Sequence, residues 1–163
     1  DLTRPGISIY GGEATNDVPN PSKQVVKAEA RILQIRDAKA GDTVGYGATH
    51  TLSRDSKIAV CGIGYADGYH RSASGSGVAL RNARPTGAVC VIDGHKAPML
   101  GRVSMDLTTF DVSDIPNSIL ENTDWVEVFG PELPIDEVAQ ACGTIGYELL
   151  TDLGNRYIRE FVS

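Results

Sequence analysis

The chain has 163 residues, 41% apolar and 22% charged, with 15 Lys and Arg against 21 Asp and Glu and a net charge of −6. That length suits one domain, or two very small ones, and falls short of the about 250 residues of a complete TIM barrel. No apolar run approaches the ~18 residues of a membrane span, the N-terminus lacks a signal-peptide pattern, and the acidic balance argues against a general attraction to nucleic acid.

Gly6–Tyr10 reads as a short strand, because Ile7, Ile9 and Tyr10 favour extended backbone. Gly11, Gly12 and the run Asn16-Asp17-Val18-Pro19-Asn20-Pro21 end it and read as a linker. Val25–Ile35 alternates, with Val26, Ala28, Ala30, Ile32 and Gln34 on one face, and predicts one long strand. Ala40-Gly41-Asp42 is a turn, Thr43–Thr51 is strand-like despite its glycines, and Lys57–Ile63 is a buried strand. Gly64–Gly77 is a loop of Gly, Ser and Asp. Gly87–Ile92 and Lys96–Val103 form a hairpin about Asp93-Gly94. Thr108–Val112 and Asp124–Phe129 are further strands, with Trp125 placed to anchor one face. Pro134–Ala141 predicts a helix stopped at Gly143, Thr144–Asp152 a second helix, and Arg156–Val162 a last strand. Many short strands with frequent turns predict a mainly β fold: an antiparallel, Greek-key-like barrel with one or two short helices.

Cys61, Cys90 and Cys142 are odd in number and widely spaced. With no CxxC and no paired His, they read as buried thiols of a reducing cytoplasm rather than a metal site. Gly62-Ile63-Gly64-Tyr65-Ala66-Asp67-Gly68 resembles a dinucleotide loop only superficially, because Asp67 takes a glycine position and no βαβ unit surrounds it. Asp67 and Asp106 are not forced into an acid–base pair by their spacing. Asp67 reads as a turn residue, and Asp106 as a stabiliser of its own loop.

Five segments in order carry a stronger signal: Arg4-Pro5-Gly6-Ile7-Ser8-Ile9-Tyr10-Gly11, Val44-Gly45-Tyr46-Gly47-Ala48-Thr49, Ile63–Arg71, Gly101-Arg102-Val103-Ser104-Met105-Asp106, and Thr144-Ile145-Gly146-Tyr147-Glu148. Together they resemble the alanine racemases, pyridoxal-phosphate enzymes, over their C-terminal domain and the last piece of the barrel before it. The resemblance implies that residues 1–22 are an arm and linker from a missing TIM barrel and that 23–163 are the C-terminal β-barrel domain. It implies interconversion of L- and D-alanine through an aldimine of pyridoxal 5'-phosphate, with two bases on opposite faces. Tyr46 matches the catalytic tyrosine, and a lysine is the other base. A tyrosine's ordinary pKa is about 10, so a phenol base needs neighbouring positive charge or donors.

The same resemblance places Arg4 at the pyridine nitrogen of the cofactor, and the Gly6 and Ile7 amides with the Tyr147 hydroxyl at its phosphate. It gives the Met105 amide to the substrate carboxylate in a partner subunit's site, and Tyr65, Arg71 and Arg102 to the substrate entrance corridor. The family's Schiff-base lysine is absent: Val26-Lys27-Ala28-Glu29-Ala30 is a lookalike without the Tyr-Gly that follows in the family motif. The chain alone is thus expected to be inactive, without covalently bound cofactor. The expected partners are alanine and the barrel of the other subunit in a cytoplasmic homodimer, with no nucleic acid, membrane or metal. A racemase of serine, lysine or broad specificity and a non-catalytic interaction module are the alternatives.

Overall fold

The structure, a computed structural model, describes residues 2–15, 21–74 and 87–162. Residues 16–20 of the predicted linker run 16–21, and the end of the predicted 64–77 loop, lie outside these residues. Among the described residues eight strands form: β1 Ala28–Ala38, β2 Thr43–Val44, β3 His50–Thr51, β4 Ser56–Cys61, β5 Val89–Ile92, β6 His95–Leu100, β7 Thr108–Asp111 and β8 Trp125–Phe129. Three α-helices among the same residues join them: α1 Asn117–Leu120, α2 Ile135–Cys142 and α3 Gly146–Thr151. Six strands close an antiparallel barrel in the order β1-β4-β7-β6-β5-β8, and β2 and β3 form a separate two-stranded ribbon.

Strand β1 turns a corner of the barrel. Its first half pairs with β8 (Ala28↔Phe129, Arg31↔Trp125), its second half with β4 (Ile32↔Cys61, Ala38↔Ser56), and the register shifts between Ile32 and Gln34. A bulge bends a strand and changes which side chains face inward. So Gln34, predicted inward by alternation, is exposed, while Ile35 is half-buried. The strand also begins and ends three residues later than its predicted span. Inward residues of β4, β5, β6, β7 and β8 fill the barrel: Ala59, Cys61, Cys90, Ala97, Phe110, Val126 and Val128 are all fully buried, while Ile58, on the other face of β4, is buried in a second cluster with Val44, Leu52 and Leu100. Helix α2 lays Ile135, Val138, Ala139 and Cys142 on its buried face, the i, i+3, i+4, i+7 stripe of an amphipathic helix. It ends at Gly143, whose φ of +70° lets Thr144 N donate to Ala139 O at 2.9 Å.

Four expectations are corrected. Gly6–Tyr10 is a 3₁₀ helix, not a strand: Gly6 and the following Gly11 are left-handed (φ +60° and +89°). The arm docks on the body through buried Ile7, which fills space beside Gly12, Ile135 and Gly146, and through Glu13 N donating to Asp136 Oδ2 at 2.9 Å. Thr43–Thr51 is two short strands holding a loop, because Gly45, Gly47 and Ala48 all take positive φ. Arg156–Val162 forms no strand. The closed barrel leaves no edge for it, and Arg159 Nη2 bends back to the Leu153 and Gly154 carbonyls, both at 3.2 Å. Trp125 is half-exposed, since inward and outward positions alternate and Val126 takes the core. Helix α1 carries only four residues and was not foreseen.

Candidate active site

The motif residues sit on five short pieces of backbone that gather in two groups, and glycines let the pieces of each group touch. Gly6 opens the 3₁₀ turn, where the first amides have no acceptor within the turn. A Cβ on Gly6 would overlap the Tyr147 hydroxyl. Tyr147 reaches it from the first turn of α3, which lies against the arm because Gly146 leaves room for the Ile7 Cδ1 methyl. Gly6, Ile7 and Tyr147 thus meet in one place. Arg4 is exposed nearby in sequence and makes no ion pair among the described residues.

A second group gathers around the Gly101–Asp106 turn. Tyr46 is at the tip of the β2–β3 loop, 78% exposed, and that loop is pressed onto the turn backbone to backbone. A Cβ on Gly45 would stand 3.0 Å from Arg102 N, and one on Gly101 would stand 2.8 Å from Val44 O. On the other side of the turn, Tyr65 N donates to Ser104 O and Ala66 N to Met105 O, both at 3.0 Å. A Cβ on Gly64 would overlap both of those carbonyls. The Ser104 hydroxyl and amide close the turn on Leu107 O at 2.9 Å. Tyr65 and Arg71 line an open cleft of about 500 Å³ with Gly68, His70 and Asp152. Its floor is tied to the end of α3 by His70 Nε2 and Asp152 Oδ2, 2.7 Å apart.

Asp67 is a turn residue in fact: its Oδ2 accepts from Gly64 N at 2.8 Å. Asp106, expected to brace its own loop, pairs instead with Arg156 across the site, Oδ1 to Nη1 at 2.8 Å, because Ser104 already supplies the loop's internal bonds. Arg156 is the residue that sequence reading missed here. Its signal would have been a cation beyond α3 opposite two motif carboxylates, which no local pattern reveals.

Lys27 is bound to Glu29 at 2.7 Å and lies 3.7 Å from buried Glu127. The Glu29 hydrogen bond, together with the charges of Glu29, Glu127 and Glu132, outweighs desolvation and raises its pKa. A Schiff-base lysine needs its free amine, so this environment suits an ion pair and not that chemistry. Among the described residues no group of three His, Cys, Asp or Glu is placed to hold a metal ion, and no helix is long and apolar enough to cross a membrane.

The family model for the alanine racemase C-terminal domain matches residues 25–161. The chain is 57% identical over 162 residues to the biosynthetic alanine racemase of Agrobacterium fabrum and 58% identical to the alanine racemase of Rhizobium meliloti. These alignments cover 99% of this chain but only 41% and 43% of those proteins, so the chain spans about two-fifths of their length. The crystal structure of the biosynthetic alanine racemase from Pseudomonas aeruginosa superposes with a TM-score of 0.81 at 37% identity, covering 97% of this chain and 41% of that one. The alanine racemase of Bartonella henselae, described with covalently bound pyridoxal phosphate, gives 0.76 at 36% identity, covering 96% and 40%.

Proposed function

We propose, on the premise that this chain belongs to the alanine racemase family through its C-terminal domain, that it supplies the tyrosine side of a two-base active site interconverting L- and D-alanine. The observation that carries the reading is the meeting of Gly6 and the Tyr147 hydroxyl, a cradle that any side chain at position 6 would fill. Backbone amides beside a hydroxyl at a residue-free surface are the donor set a phosphate needs. The residues present therefore fit pyridoxal 5'-phosphate, held by the Gly6 and Ile7 amides and Tyr147, with Arg4 toward the ring nitrogen. When bound, that group would supply the electron-withdrawing ring that acidifies the substrate α-proton.

This chain's own residues do the rest. In the partner subunit's site, Tyr46, exposed at a loop tip, takes or returns the proton at one face of the α-carbon. There the Met105 N–H holds the substrate carboxylate, with its position set by the Ser104–Leu107 turn. Tyr65, Arg71 and Arg102 line the approach, where guanidinium groups attract a carboxylate. The opposite base is a lysine of a partner subunit's barrel, so the working unit is a homodimer and the chain alone is inactive. The free, buried thiols suit a reducing cytoplasm.

The test is α-proton exchange with deuterated solvent, in the full-length enzyme carrying this chain, for both alanine enantiomers. Tyr46→Phe is expected to slow exchange from one enantiomer, L-alanine, by about 10²–10⁴-fold, the usual worth of a positioned general base, and exchange from D-alanine far less. No exchange of either enantiomer in the unmodified enzyme, or a variant equal to it, defeats the reading.

A further inference from the structure

The segment after α3 folds back over the Asp67–Gly68 loop. A Cβ on Gly68 would overlap the Asp152 carbonyl, and His70 grips the Asp152 carboxylate. Arg156 lies in this returning segment and holds two carboxylates at once: its Nε is 3.1 Å from Asp67 Oδ1 and its Nη1 is 2.8 Å from Asp106 Oδ1. Asp67 is buried and uses its other oxygen on the Gly64 amide, whereas Asp106 is exposed. Two carboxylates brought to one spot repel, and a planar guanidinium satisfies both with separate N–H groups where a lysine offers a point charge.

The two carboxylates belong to different parts of the site. Asp67 is in the loop that carries Tyr65 and Arg71, and Asp106 is in the turn that carries Arg102 and Met105. These two pieces meet along a short seam made of the Tyr65-to-Ser104 and Ala66-to-Met105 backbone bonds. Two bonds between loops are easily opened by local fluctuation. Arg156 closes the seam from outside and ties both pieces to the end of the helix that bears Tyr147.

We infer that Arg156 is a positioning residue: bridging Asp67 and Asp106, it fixes the Met105 amide and the Tyr65–Arg71 loop in register for a carboxylate substrate. The role rests on the racemase reading for its consequence in catalysis, but not for its geometry. Arg156 touches no reacting atom, so its loss is expected in substrate binding and not in the chemical step.

Arg156→Gln, Asp106→Asn and the double variant are made in the full-length enzyme. Each single variant is expected to raise KM for alanine about tenfold with kcat held within about threefold, since one charge-assisted contact is lost outside the chemistry. The double variant is expected to match Arg156→Gln within about twofold, because both substitutions break the same bond. Arg156→Lys, keeping the charge without the fork, is expected to fall between Arg156→Gln and the unmodified enzyme. Without substrate, hydrogen exchange at the Tyr65 and Ala66 amides is expected to accelerate in the single variants while exchange in β4 stays unchanged. If Arg156→Gln does not fold, Asp106→Asn decides, since it alters an exposed carboxylate.

Unchanged exchange at Tyr65 and Ala66 overturns the clamp, whatever KM does. Unchanged KM, equal losses in KM and kcat, or faster exchange throughout the barrel overturns the positioning role. If the unmodified enzyme turns over neither alanine enantiomer, the racemase reading fails separately, and the exchange measurement still decides the clamp.

Discussion

Neighbours decide what a side chain can do. Lys27 sits in a stretch that looks like a cofactor-lysine motif, yet two glutamates keep it an ion pair. The cysteines show the same rule with the opposite sign. Burial pushes the Cys61 and Cys142 thiols up to about 12, and the Cys90 thiol well above its usual value. A thiolate is the reactive form, so a thiol reagent at about pH 8 is expected to modify none of the three in the folded protein and all three in denaturant. The ordinary thiol value, 9.0, is lower than the folded ones, so the unfolded chain sheds these protons first. Stability from this source is complete below pH 9.0 and falls as pH rises toward about 12, which urea midpoints at about pH 7 and about pH 10 would show. That these cysteines are apolar filler was legible from their spacing. That Arg156 joins Asp67 to Asp106 was not, because an ion pair between residues distant in sequence leaves no periodic trace.

Elements follow the same physics, with packing choosing among local options. The hairpin β5–β6, strands β4, β7 and β8, and helix α2 stand close to where alternation, turn residues and the Pro–Gly bracket put them. The arm and the Tyr46 loop do not, because their glycines take positive φ and meet other backbone. Nothing in the sequence named the surface that the glycines beside Tyr46 approach. It is Gly101, whose φ is +68° and whose Cβ would stand 2.8 Å from Val44 O. Gly101→Ala is expected to destabilise by about 1–3 kcal/mol, from left-handed backbone strain and this contact together. It is also expected to lower activity in the full-length enzyme by shifting the Tyr46 loop. Chemical denaturation of the domain and steady-state kinetics of the enzyme measure the two effects. An alanine at Gly41, which is also left-handed but has nothing within 4 Å, controls for strain alone.

At the scale of the molecule, the closed barrel is the platform for the site. Phe110 stands fully buried on β7, its backbone paired with Ala59 on one side and Met99 on the other. Phe110→Ala is expected to cost about 3–5 kcal/mol, as deletion of a buried aromatic ring leaves a cavity. Against a typical total of about 5–15 kcal/mol that loss would be plain in a thermal or urea melt. Sequence alone determined the class of fold, most barrel strands, helix α2 and the five motifs of the family, because period-2 alternation, turn chemistry and contiguous motifs are written locally along the chain. Tertiary structure alone decided the rest. The barrel's closure denies a strand to Arg156–Val162, the bulge in β1 reverses which side chains face inward, and the motif loops meet through glycines under the clasp of Arg156. Each of these depends on contacts between residues far apart in sequence, and such contacts exist only once the chain has folded.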